Sequence, residues 1–83
     1  MKLILFGTLG CHLCDSAEQL MPHILTQDPS IFIERIDIAE QTQWQPQYAI
    51  KIPVLLHPES LRELCWPFDR MAVISFIDEL KHE

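Results

Sequence analysis

Cys11 and Cys14, in the run Cys11-His12-Leu13-Cys14, are the residues of this chain best placed by type and spacing to do covalent chemistry. A separation of three residues brings two sulfurs within disulfide reach, so the pair can cycle between dithiol and disulfide. A cysteine at a helix N-terminus faces unpaired N–H groups and the positive end of the helix dipole. Together these stabilise a thiolate by about 1–2 kcal/mol, or about one pKa unit. Cys11 is therefore expected to be the nucleophile that attacks a disulfide, with Cys14, facing inward, resolving the mixed disulfide. His12, if protonated, would add to the stabilisation of the Cys11 thiolate; the alternative is a solvated side chain on an exposed loop. Asp15 opposes any such gain with its negative charge.

Other uses of the pair are less well supported. Zinc or an iron–sulfur cluster needs further ligands, and the chain has neither a second C-x-x-C nor paired histidines. No metal is expected within one chain, although a metal shared between two chains stays open. A c-type haem needs histidine after the second cysteine, where this chain has Asp15.

The dithiol needs a rigid support, and the flanking pattern provides one. Lys2-Leu3-Ile4-Leu5-Phe6 is a nearly unbroken apolar run ended by Gly7, as in a strand buried on both faces. After the turn Thr8-Leu9-Gly10, Cys14, Ala17, Met21 and Ile24 fall on one helix face, with Leu20 and Leu25 beside them. Pro22 is expected to kink this helix or loosen its second half, and Asp28-Pro29-Ser30 ends it. Ile31 to Ile38 reads as a second strand, parallel to the first across the helical crossover. A short helix follows around Trp44 and Tyr48, either a single turn or one that starts late near Pro46.

Pro53-Val54-Leu55-Leu56 reads as a third strand, and Leu61 to Trp66 as a fourth antiparallel to it across the turn His57-Pro58-Glu59-Ser60. Asp69 is the expected N-cap of a last helix, whose stripe runs Met71, Ile74, Ile77 and Lys81, widened by Val73, Phe76 and Leu80. The order is β-α-β-α-β-β-α, an α/β fold with a mixed four-stranded sheet and helices on both faces.

The 83 residues make one domain, 1–83. Twelve Asp and Glu against six Lys and Arg give a net charge of −6, which argues against nucleic acid and anionic membrane surfaces as partners. The first apolar run is shorter than the ~7–15 residues of a signal-peptide core, and nothing approaches the ~20 of a membrane span. A cytoplasmic protein is expected. Three cysteines, an odd number, then point to reactive rather than structural thiols. Cys65 is read as a buried, inert small hydrophobe, Trp44 and Tyr48 as packing residues, and His23, His57 and His82 as surface residues. Asp37 is read as a cap for the following helix, with proton carriage for the dithiol as the alternative. Leu13 is expected to be half exposed beside Cys11, as part of a docking surface.

The strand–Cys11-His12-Leu13-Cys14–helix start, the Ile52-Pro53-Val54 step and the element order together resemble a small bacterial glutaredoxin-like protein of the thioredoxin superfamily. Asp37, Tyr48 and Trp66-Pro67-Phe68-Asp69 fit the same pattern, and the resemblance spans essentially the whole chain. It implies that Ile52-Pro53 is a cis bond facing the dithiol, with Pro53 beside the sulfurs. It also implies that the Ile52 backbone is offered to an incoming peptide or glutathione, like an added strand. The residue-level alternative is a trans proline opening an edge strand.

Two departures bear on substrate. The Gly-Gly step that glutathione-using members carry after the fourth strand is replaced by Cys65-Trp66-Pro67-Phe68, so that only Asp69 matches the polar residues there. The lysine before the first cysteine is also absent. Trp66 and Phe68 could instead form an apolar patch for a protein partner.

The function expected is thiol–disulfide exchange on protein or glutathione-mixed disulfides. The Cys11/Cys14 dithiol would be recycled by glutathione or a reductase, in a monomer with no resident cofactor. A non-catalytic binding module on the same scaffold, with the dithiol idle or holding a metal between chains, is the reading from a different class.

Overall fold

The computed structural model describes residues 1–82. Strands β1 (Lys2–Gly7), β2 (Phe32–Asp37), β3 (Val54–His57) and β4 (Arg62–Cys65) form one sheet in the order β2-β1-β3-β4. β1 runs parallel to β2 and antiparallel to β3, and β3 runs antiparallel to β4. The helices are α1 (His12–Gln27), α2 (Gln45–Tyr48) and α3 (Arg70–Lys81), with a 3₁₀ turn at Thr42–Trp44 leading into α2. This is the expected order and mixed sheet. β3 starts at Val54, one residue after the expected Pro53, and β4 is trimmed by one residue at each end.

The central strand explains the layering. Leu3 and Leu5 of β1 point into a core shared with Ala17, Met21 and Ile24 of α1 and with Val73, Phe76, Ile77 and Leu80 of α3. Ile4 and Phe6 point the other way, into a smaller core with Ile36, Ile38, Tyr48, Val54 and Leu56. A strand must be apolar at every position to serve two cores, which is why the run from Leu3 to Phe6 carries no alternation.

Helix α1 buries the expected stripe of Cys14, Ala17, Met21 and Ile24. It runs unbroken through Pro22, where a kink or loosening was expected; its later turns are retained by Ile24 in the core and by the Thr26 hydroxyl, which donates to the Pro22 carbonyl at 2.8 Å. Asp69 caps α3 as expected, its Oδ1 accepting from the Ala72 N–H at 2.8 Å. Met71 does not join the α3 stripe; it is exposed, and the buried face is Val73, Phe76, Ile77 and Leu80.

Three further readings are corrected. His57 is buried, because β3 is interior and its ring is held by Ser60 (Nδ1 to Oγ, 2.7 Å). Cys65 is exposed, because β4 is the sheet edge and the residue falls on its open side. Phe68 is buried in the larger core, edge-on to Trp66 with ring centroids 5.0 Å apart, so the pair is not an open docking patch.

The hairpin between β3 and β4 is closed by Leu61, whose N–H donates to the His57 carbonyl at 2.8 Å. Leu61 has φ +63° and an exposed side chain, a left-handed conformation that costs a non-glycine residue about 1–2 kcal/mol. Leu61→Asn, which tolerates that region, is expected to raise the stability measured by urea unfolding by about 1 kcal/mol.

At the other end of the molecule, Lys81 of α3 pairs with Asp28, which follows α1. The Lys81 hydrogen bond first and the Ser30 hydroxyl second hold the Asp28 carboxyl down to about 2, from an ordinary 3.8. The folded value lies below the unfolded one, so this contribution is present above the ordinary value and is lost as pH falls through about 2. Asp28→Asn is therefore expected to lower the urea midpoint near neutral pH, and by progressively less as pH falls from the ordinary 3.8 toward about 2.

Candidate functional site

The site forms where the C-terminal end of β1 meets the N-terminus of α1. Gly10, at φ +81°, turns the chain between them. Cys11 has extended backbone (φ −95°, ψ 106°) and is the N-cap of α1. Its Sγ accepts a hydrogen bond from the Cys14 N–H at 3.2 Å, and its carbonyl accepts from the Asp15 N–H at 3.1 Å. The Cys14 N–H of the first helical turn therefore points at this sulfur, at the helix end whose dipole favours negative charge.

Cys11 and Cys14 are joined as a disulfide with their Cα atoms 5.2 Å apart, within the range such a bond requires. Cys11 is half-buried and Cys14 is buried. Cys11 is thus the more accessible of the two residues.

Gly7 is a functional residue that the sequence reading missed. A side chain there would place its Cβ 3.2 Å from Cys14 Cβ and 3.3 Å from Cys14 Sγ. Gly7 is the space into which Cys14 packs. The available signal was a glycine ending a strand a few residues before the cysteine pair, which was read only as a strand end.

The other expected site residues divide into groups. His12 is exposed, with its carbonyl accepting from Ser16, which matches the reading of a solvated ring. Leu13 is 50 % exposed beside Cys11, and Leu9 on the preceding turn is 88 % exposed, so the dithiol has an apolar rim. Asp69 is exposed and engaged in capping α3. Trp66 is half-buried against the larger core. The Ile52–Pro53 and Trp66–Pro67 peptide bonds are cis; Pro53 is fully buried and Ile52 half-buried. The Ile52 N–H donates to the Tyr48 carbonyl at 3.2 Å.

Tyr48 holds this loop from below. Its ring stacks on Phe6 of β1 with centroids 4.4 Å apart and planes 17° apart, while Trp44 sits 4.9 Å from Phe6. These are the packing roles expected of Trp44 and Tyr48. Burial, with a hydrogen bond to Glu63 second, pushes the Tyr48 hydroxyl up to about 12.

A cleft of about 190 Å³ opens on the other side of Cys14, between α1 and β2. Gly7, Thr8 and Leu9 form its floor, and Asp15, Glu18, Arg35 and Asp37 form its walls. Arg35 and Glu18 neutralise one another at 2.8 Å. Asp37 accepts from the Ala39 N–H at 2.8 Å, which closes a local turn rather than capping the following helix as expected, since Gln41 and Trp44 are the N-caps of the two helical segments that come next. Among the described residues no three His, Cys, Asp or Glu side chains converge as metal ligands. No helix among them is long and apolar enough to cross a membrane.

A four-stranded mixed sheet flanked by helices, with a Cys pair at the start of α1, is the architecture of the thioredoxin-like fold. Solved structures share it. The structural genomics target XcR50 from X. campestris is 31 % identical with a TM-score of 0.75, covering 93 % of this chain and 96 % of that one. Protein Ne2328 from Nitrosomonas europaea is 25 % identical with a TM-score of 0.72, covering 90 % and 88 %. A malarial protein at 14 % identity and a TM-score of 0.74 shares the fold alone. A search of the curated proteins returned no match. The family model for the glutaredoxin-like domain (DUF836) matches residues 2–78, and the chain belongs to that family.

The Gly7–Cys14 contact yields a test. Gly7→Ala would gain about 0.5–1 kcal/mol from reduced backbone entropy in the unfolded chain. Against this, Cys14 is tethered to Cys11 and cannot retreat, and overpacking of this kind costs about 1–3 kcal/mol. A net loss of about 1 kcal/mol is expected in urea unfolding of the oxidised protein; a gain would show that Cys14 moves aside freely.

Proposed function

We propose that this protein is a thiol–disulfide oxidoreductase of the cytoplasm, with Cys11 as nucleophile and Cys14 as resolving thiol. The observation that carries the reading is the asymmetry of the pair: Cys11 caps α1 and is accessible, while Cys14 is buried against Gly7. The Cys11 thiolate attacks one sulfur of a partner disulfide, forming a mixed disulfide and releasing the other sulfur as a thiolate. Cys14 then gives up its proton and attacks Cys11. The Cys11–Cys14 bond forms as the bond from Cys11 to the partner breaks, so two electrons pass to the partner. Glutathione or a reductase restores the dithiol.

Protein disulfides and glutathione-mixed disulfides are the proposed substrates, met by a monomer with no resident cofactor. Leu9 and Leu13 offer apolar contact around the attacking sulfur. With the Ile52 N–H already held by Tyr48, a docking chain would meet that residue through its carbonyl. In this reading Pro53, Trp66, His12 and Asp69 are the remaining residues of the substrate-facing surface.

The test is a redox titration against glutathione buffers of known poise, with thiols trapped by alkylation and counted by mass. A reversible two-electron transition of Cys11 and Cys14 is expected between about −270 and −120 mV. Cys11→Ser is expected to abolish disulfide reduction, and Cys14→Ser to accumulate a mixed disulfide with the partner. Full activity in Cys11→Ser, or no reversible pairing of the two cysteines, would overturn the assignment.

A further inference from the structure

We infer that Asp37 is the proton acceptor for Cys14 in the resolving step, acting through the cleft between α1 and β2; this rests on the oxidoreductase reading. Buried Cys14 cannot attack Cys11 until its S–H has lost a proton, and its location limits where that proton can go. The sulfur lies over Gly7. Gly7 is the register partner of Asp37 across the parallel β1–β2 ladder, and the Ile38 N–H beyond it donates to the Gly7 carbonyl at 3.0 Å. Register partners on parallel strands lie about 4.8 Å apart and project to the same face. Leu3 and Leu5 of β1 and Ile33 of β2 all belong to the core on the α1 face, so alternation places Asp37 on that face too, beside Cys14.

The cleft that Cys14 and Asp37 both line holds about 190 Å³, against roughly 30 Å³ for one water, so a water relay fits between them. The other charged groups around Cys14 are less suitable. Glu18 is bound to Arg35, Asp15 lines the cleft but is exposed, and β1 contributes only the uncharged Leu5, Phe6 and Gly7. Asp37 uses Oδ1 to accept from Ala39, and its Oδ2 carries no hydrogen bond among the described residues.

The Cys14 proton passes through water to the Asp37 carboxylate, and the Cys14 thiolate attacks Cys11. The partner leaves as a thiolate, which takes up the proton from Asp37 or solvent. Asp37 thus works through Cys14 and need not touch the partner.

Asp37→Asn keeps an oxygen to accept from Ala39 and removes only the base, so the turn is retained. The probe is 5,5′-dithiobis(2-nitrobenzoate), mixed with the reduced full chain in a Cys65→Ser background and followed by stopped flow. Attack by Cys11 releases one nitrothiolate in a first phase, and resolution by Cys14 releases a second. In Asp37→Asn the first phase is expected to stay within about twofold, while the second slows by about tenfold or more near pH 6 and becomes steeply pH-dependent. Removing a negative charge beside a thiol favours its thiolate, so a purely electrostatic Asp37 would make Asp37→Asn faster. A second phase that is unchanged or faster overturns the proposal, as does the same slowing in Asp15→Asn with Asp37→Asn normal. Absence of the first phase in the unsubstituted Asp37 protein would instead overturn the oxidoreductase reading itself.

Discussion

Cys14 reaches the sheet only because position 7 carries no side chain, and the rest of the site follows from that contact. With Cβ clearances of 3.2 and 3.3 Å, the first turn of α1 sits as low on β1 as packing density permits. Cys14 is thereby buried, Cys11 is left at the rim, and the Cys14 N–H reaches the Cys11 sulfur. The proposed division of labour between two chemically identical thiols is in this way a consequence of how closely a helix can approach a strand.

The same strand positions the opposite wall. Gly7, Leu5 and Leu3 face α1, while Phe6 faces the other way and carries the Tyr48 ring stacked on it. The Tyr48 carbonyl accepts from the N–H groups of Lys51 and Ile52, at 2.9 and 3.2 Å, which sets the loop ahead of Pro53. Six residues of β1 therefore fix both the dithiol and the segment proposed to receive a partner chain. Each side is tied to its own hydrophobic core, so neither can shift without disturbing packing.

Much of this was legible in the sequence. The unbroken apolar run of β1, the Cys14-Ala17-Met21-Ile24 stripe and the Asp69 cap each follow a local rule, and each forms as read. Failures fall where a residue's surroundings depend on partners distant in the chain. Cys65 looks buried between Leu64 and Trp66, but β4 is the edge of the sheet, and edge position is a property of strand order. His57 looks like a turn residue, but β3 lies between two strands and covers it. Phe68 follows a proline and looks available, yet it turns into the α1–α3 core. Gly7 was visible as a glycine, but its importance lies in what stands 3.2 Å away, which periodicity does not report.

The acidic balance of the chain takes on a local meaning at the cleft. Carboxylates beside a dithiol disfavour the thiolate form of the nearer sulfur by like-charge repulsion, which would slow resolution if they acted only as charges. In this protein the helix N-terminus supports charge on Cys11, while Asp15, Glu18 and Asp37 lie on the Cys14 side. Arg35 cancels one of them through Glu18, and the Ala39 N–H holds another in place. In the proposed mechanism this arrangement favours negative charge on the outer sulfur over the inner one. In that mechanism a buried, protonated inner thiol is shielded from external oxidants between turnovers. It would attack only when its neighbour is engaged and its proton has a base within reach, and a carboxylate registered beside Gly7 would meet that second condition without adding charge at the proposed docking face.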